Sequence, residues 1–166
     1  GESALDASVT GGNNTAIGLS ALTELTSGSQ NVAVGAGALD ANTTGSNNTA
    51  IGRNSLTTST TASLNTAVGK DTLASNSSGA FNVAVGADAL ELNTTASDNV
   101  AVGYFALNAN TTGASNVAIG KGVLDANTTA SNNTGVGHNA LGLNTTGANN
   151  VAVGKDALDA NTTANN

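Results

Sequence analysis

Apolar residues in this chain fall at fixed places. Short runs such as Asn31-Val32-Ala33-Val34-Gly35 and Asn116-Val117-Ala118-Ile119-Gly120 set a tiny residue between two larger apolar ones. The run ends on Gly, and that Gly recurs at Gly1, Gly18, Gly35, Gly52, Gly69, Gly86, Gly103, Gly120, Gly137 and Gly154, always 17 residues apart. The residue before it is always Ile or Val, from Ile17 to Val153. Two before it stands Ala, except at Gly135. Three before it is Val or Thr, and four before it is Asn, from Asn14 to Asn150. Four after it is always Leu, from Leu5 to Leu158. Seven after it is Asn in seven of ten copies, with Ser8, Leu25 and Ser59 the exceptions. Thr-Thr follows in most copies, then Gly or Ala.

Period-two alternation over β-branched residues predicts a short strand at each Asn-Val-Ala-Val. Gly ends it and permits a corner that other residues resist. The Ala-Leu pair is expected to open a second extended segment towards Asn-Thr-Thr, after which Gly or Ala turns the chain back. Helices are disfavoured, because Gly, Asn and Thr are poor helix formers and a two-helix unit needs more than about 30 residues.

Fixed-period self-similarity of this kind predicts an all-β, parallel β-solenoid. Each 17-residue repeat makes one coil, about ten coils in all, in a single array over 1–166. Equivalent residues would stack about 4.8 Å apart. Stacked Asn side chains can bond to the coils above and below, as in other in-register β stacks. Ile/Val and Leu are expected to fill the interior, where β-branched residues suit a pleated surface. The Ala column then faces the other way. An invariably tiny residue there predicts close approach of another chain's backbone; the alternative is a cramped roll interior. A second buried face would help, since fixing a residue's backbone costs about 1–2 kcal/mol while burying a Leu or Val contributes roughly 1.5–3 kcal/mol.

Composition narrows the function. The chain has no Cys, Met, Pro or Trp, and a net charge of −7. No basic patch exists to release counterions from a nucleic acid, and thiolate metal sites and disulfides are excluded. No apolar run is long enough to span a membrane. The array starts on one repeat's Gly and stops inside another, as a slice of a longer fibrous protein would.

All four cations, Arg53, Lys70, Lys121 and Lys155, sit one after the Gly, in a column shared with Tyr104 and His138. Asp71, Asp88 and Asp156 sit two after it; Asp6, Asp40, Glu91, Asp125 and Asp159 sit five after it. This corner must face water. In the second acidic column no two successive coils both carry an acid, which fits in-register stacking of like charges. Arg53, Lys70, Lys121 and Lys155, with Tyr104 and Phe105 beside Leu92 and Leu107, are the candidate partner contacts, because exposed aromatics can anchor a partner.

No catalytic, cofactor-binding or metal-binding residue is assigned, and no cofactor is expected. A catalytic centre needs an uneven constellation of groups, whereas a repeat offers columns. His138 reads as a solvated surface residue. The Asp columns lack the Gly-Gly-x-Gly-x-Asp pattern of calcium-binding rolls. A phosphate cradle would need a strand–loop–helix setting. The Asn-x-Thr sequons at Asn42, Asn93, Asn110, Asn127, Asn144 and Asn161 read as ladder residues rather than glycan sites.

The Asn-Val-Ala-Val-Gly motif resembles the head repeats of trimeric autotransporter adhesins, the YadA-like heads. The longer unit from Asn48 onwards is similar to repeat arrays of bacterial surface and phage tail-fibre-like proteins. The resemblance covers essentially the whole chain. It implies a left-handed β-roll, a homotrimer, and an extracellular place on a cell surface or virion fibre. The first functional reading is therefore a rigid structural and adhesive segment, not an enzyme, that attaches to surfaces by many weak contacts. Its receptor is not named by the sequence. The second reading is a monomeric ice- or mineral-binding solenoid that presents one of the two Thr columns, since adjacent strand residues point to opposite faces.

Overall fold

The computed structural model describes residues 1–165. Nine three-residue strands form one parallel sheet in sequence order. They are β1 (Thr15–Ile17), β2 (Val32–Val34), β3 (Thr49–Ile51), β4 (Thr66–Val68), β5 (Val83–Val85), β6 (Val100–Val102), β7 (Val117–Ile119), β8 (Thr134–Val136) and β9 (Val151–Val153). Each strand pairs with its equivalent one repeat on, so Ala33 lies opposite Ala50 and Val34 opposite Ile51. The expected solenoid is thus present, with one coil per repeat. Its nine strands are joined by eight full turns, and the residues outside them add partial coils. Eight steps of about 4.8 Å give a rod roughly 40 Å long.

The second extended segment is not a strand. Across the Ala-Leu stretch the chain makes a run of turns. The Leu column itself is left-handed, with φ of 51–55° from Leu5 to Leu158. The column two residues before it is left-handed as well, as at Asn54, Asp71 and Asp88. These turns still bond from coil to coil. Leu39 N donates to Ser55 O at 3.0 Å, and Asn54 N donates to Ala36 O at 2.9 Å. Burial of Leu and a continuous backbone ladder together offset the local cost of left-handed φ in a non-Gly residue.

Gly closes each strand for two reasons. At Gly86 φ is +130°, a region L side chains resist, and a Cβ there would lie 2.6 Å from Gly103 O. Successive corners stack backbone on backbone, which leaves no room for a side chain.

The interior holds Leu, Ala and Asn. Leu22 through Leu141 are fully buried, as are Ala33, Ala50, Ala67, Ala84, Ala101 and Ala118. Two Asn ladders flank them. Asn48 Nδ2 donates to Ala62 O at 2.8 Å and to Asn31 Oδ1 at 3.2 Å, while Asn48 N donates to the same Oδ1 at 3.0 Å. In the other ladder Asn110 Nδ2 donates to Asn93 Oδ1 at 3.1 Å and to Gly113 O at 2.9 Å. Buried amides are thereby satisfied in both donors and acceptors, as burial requires.

This corrects the expected interior. Ala faces inward and the Ile/Val columns face outward, so the cramped-interior reading of Ala holds and the interface reading falls. The reason is the narrow cross-section. The Ala column packs near the column three after the Gly, which is usually Ala too. Where that column carries the larger Val123, the Ala column carries Gly135, and a Cβ on Gly135 would meet Val123 Cγ1 at 2.4 Å. Two opposing walls cannot both be large.

Candidate interaction surfaces

Because the strands alternate, turning Ala inward turns its neighbours outward. The outer face of the sheet is a double file of Val, Ile and Thr, with no charged residue in either file. Ile17, Ile51, Val83, Val85, Ile119, Val151 and Val153 are exposed, and the intervening members of the files are mostly half-buried. Scattered apolar surface residues are ordinary; a contiguous apolar strip along a whole rod is not.

The corner after the Gly carries the charges, as the spacing predicts. Arg53 Nη2 lies 3.1 Å from Asp71 Oδ2. Lys70 reaches both Asp71 of its own coil and Asp88 of the next. Asn54 Nδ2 also donates to Asp71 Oδ1 at 2.9 Å. Partial burial works against the Asp71 carboxylate, but hydrogen bonds from Lys70 and Asn54 and the charges of Arg53 and Lys70 outweigh it and hold its pKa below the usual range. The hydrogen bond to Asp71 raises that of Lys70 in turn. Lys155 pairs with Asp156 at 3.1 Å, and His138 Nδ1 lies 3.7 Å from the same carboxyl group. Lys121 makes no ion pair among the described residues. Such exposed pairs contribute little to stability.

Tyr104 and Phe105 stack at the same corner, with ring centroids 4.5 Å apart and planes tilted by 59°. Tyr104 is exposed and Phe105 half-buried. Leu92 is exposed nearby in sequence, whereas Leu107 is wholly inside the roll and takes no part in a surface patch.

The Thr-Thr stretch is a bend rather than an extended segment, and its two columns differ in what their hydroxyls meet. In the first, Thr43 Oγ1 donates to Thr60 O at 3.1 Å and Thr111 Oγ1 to Thr128 O at 3.0 Å, so these hydroxyls are committed to the next coil. The second column, including Thr44, Thr61, Thr95, Thr112, Thr129 and Thr146, is exposed. Of the sequon asparagines, Asn42, Asn93, Asn110, Asn127 and Asn144 are fully buried, and Asn161 Nδ2 bonds to Asn144 Oδ1. A glycan on any of the buried five is incompatible with this fold.

Asp125, Asn139, Gly142, Leu143 and Asp159 line a shallow hollow near the last coils. Burial pushes the Asp125 carboxyl upward despite backbone hydrogen bonds from Ala126 and Asp125. No group of three or more His, Asp or Glu side chains placed to hold a metal occurs among the described residues.

Sequence reasoning missed one feature. The column immediately before the pre-strand Asn is left-handed and exposed. It carries Asn13, Gln30, Asn47, Asp98, Ser115, Asn132 and Asn149, but Leu64 and Phe81 in two successive coils. That break in an otherwise polar column was the available signal.

No family model, curated protein sequence or solved structure matches this chain.

Proposed function

We propose that this chain is a rigid segment of an extracellular fibre, on a cell surface or virion, which assembles as a homotrimer and attaches to other surfaces through many weak contacts. The observation that carries this reading is the outward Val/Ile strip. It runs the length of a stiff, closed-register rod, and the chain's own fold leaves its members half-buried or exposed. Three rods that turn their strips to a common axis would cover that apolar surface and leave the charged, variable corners outside. Those corners, with Arg53, Lys70, Lys121, Lys155, Tyr104 and Phe105, are then displayed in equivalent rows, the arrangement from which multivalent attachment gains strength. The YadA-like resemblance points the same way. Light scattering on the purified fragment tests the assembly directly: a mass about three times 15.8 kDa is expected, and a folded single chain at all concentrations contradicts it.

The exposed Thr file supports a second reading, a monomeric ice or mineral binder. Because the first Thr column spends its hydroxyls on the next coil, the informative variant is Thr112→Tyr in the exposed column. Thermal hysteresis that this substitution abolishes would favour the second reading; no hysteresis at high concentration removes it.

A further inference from the structure

We propose that Leu64 and Phe81 extend the self-association face and fix the axial register in which copies of this chain meet; the inference rests on the assembly reading above. The strand face alone is small. Nine strands each turn two residues outward, eighteen in all. An interface of standard size uses about 20–30 residues a side. The face therefore gains from a flanking column. The column before the pre-strand Asn is that flank, and Leu64 and Phe81 are its only apolar members.

Their placement is costly without a partner. Both have left-handed backbones, φ 61° and 59°, where Asn or Asp sits more comfortably. Both are well exposed, at 49% and 57%. From Phe81 to Val85 the chain alternates exposed and buried, so Phe81, Val83 and Val85 point out of the roll while Asn82 and Ala84 point in. In β5 both outward residues are more than a third exposed, Val83 at 38% and Val85 at 36%, and Phe81 widens the apolar face beside them.

The register follows from repetition. The Val/Ile files look nearly the same after a shift of one coil, so they specify axial position weakly, as uniform strand faces do. A bulky Leu–Phe pair found in two coils alone breaks that degeneracy. The occupant of this patch is a second copy of the chain.

Two measurements test the proposal. The first is dilution light scattering on the wild type and on Leu64→Asn/Phe81→Asn, whose new residues suit a left-handed backbone. The fold, read by circular dichroism and melting temperature, should be kept, while the dissociation constant should rise about tenfold or more, as for loss of an interface anchor. The second mixes wild type with Asn47→Leu/Leu64→Phe/Phe81→Asn, which moves the pair by one coil, and maps cross-links between the two chains by mass spectrometry. Because the strand files repeat at every coil, mixed species should form with a one-coil offset that brings the two Leu–Phe pairs together. An unchanged dissociation constant, or mixed species cross-linked in flush register, overturns this inference and leaves the assembly standing. A wild type of single-chain mass at every concentration overturns both.

Discussion

The Leu column and the Ile/Val column before the Gly are equally regular and do opposite things. Every repeat has Leu in the first and Ile or Val in the second. The Leu side chains from Leu22 to Leu141 are fully buried by their own chain. The Ile/Val side chains face outward: five are exposed, from Val85 at 36% to Val153 at 70%, and Val34, Val68, Val102 and Val136 are half-buried. The first regularity is explained by packing within one chain. The second is not, because an outward strand position tolerates polar residues, as Thr49, Thr66 and Thr134 demonstrate two positions earlier. An apolar residue kept in every coil where the chain itself leaves it half-buried or exposed points to further burial by something else.

Leu90→Ala should destabilise the folded chain by about 3 kcal/mol, the range for a buried Leu that leaves a cavity. Chemical denaturation measures this, and it should appear whether or not the chains associate. Gly135→Ala comes next. Its new methyl meets Val123, and overpacking of this kind costs about 1–3 kcal/mol. The double variant Val123→Ala/Gly135→Ala should recover most of that loss, because it restores the pairing found in most other coils. Failure of the rescue would mean that interior width is not what drives Val and Ile outward.

Smaller effects mark the edges of the core. Ser59 interrupts the second Asn ladder, and its buried hydroxyl has no hydrogen-bond partner among the described residues. Ser59→Asn should reconnect Asn42 to Asn76 and stabilise the fold by about 1 kcal/mol, the usual net worth of a hydrogen bond; an unchanged or lowered melting temperature contradicts the ladder account. The smallest effect is expected at Asp125, whose carboxyl is raised by burial. A raised acid penalises the fold when ionised, so stability should increase as pH falls through the folded pKa and level off below the unfolded value of about 3.9. Asp125→Asn should accordingly stabilise at neutral pH, within the about 0.5 kcal/mol typical of surface changes, and the gain should vanish in acid.

Much of this architecture is legible in the sequence. The Gly spacing gives the coil, the Val-Ala-Val alternation gives the strand, and the Asn columns give the ladders. The skipped acids and the clustered cations locate the wet corner. Two things are not legible in the same way. Alternation identifies two faces without saying which is inside, and hydrophobicity alone ranks Val above Ala for burial. The deciding fact is the width of the roll, visible in the sequence only through the single exchange of Ala for Gly135 one coil after Val123. The left-handed Leu column is the other. Leu carries no preference for that backbone, so only the fold imposes it, and the expected second strand becomes a run of turns. Of the surface candidates, the cations and Tyr104 lie outside as the register predicts, while Leu107 lies inside because it belongs to the Leu column.

The most direct test is the solution mass and circular dichroism of Val85→Lys/Ile119→Lys beside the wild type. The two sites lie two coils apart on the outer strand face, so the new charges do not stack directly. The account predicts an assembled wild type and a variant of about 15.8 kDa that keeps the wild-type spectrum. A variant that unfolds as a monomer, or one that assembles as well as the wild type, would contradict the claim that the Ile/Val column serves contacts between chains.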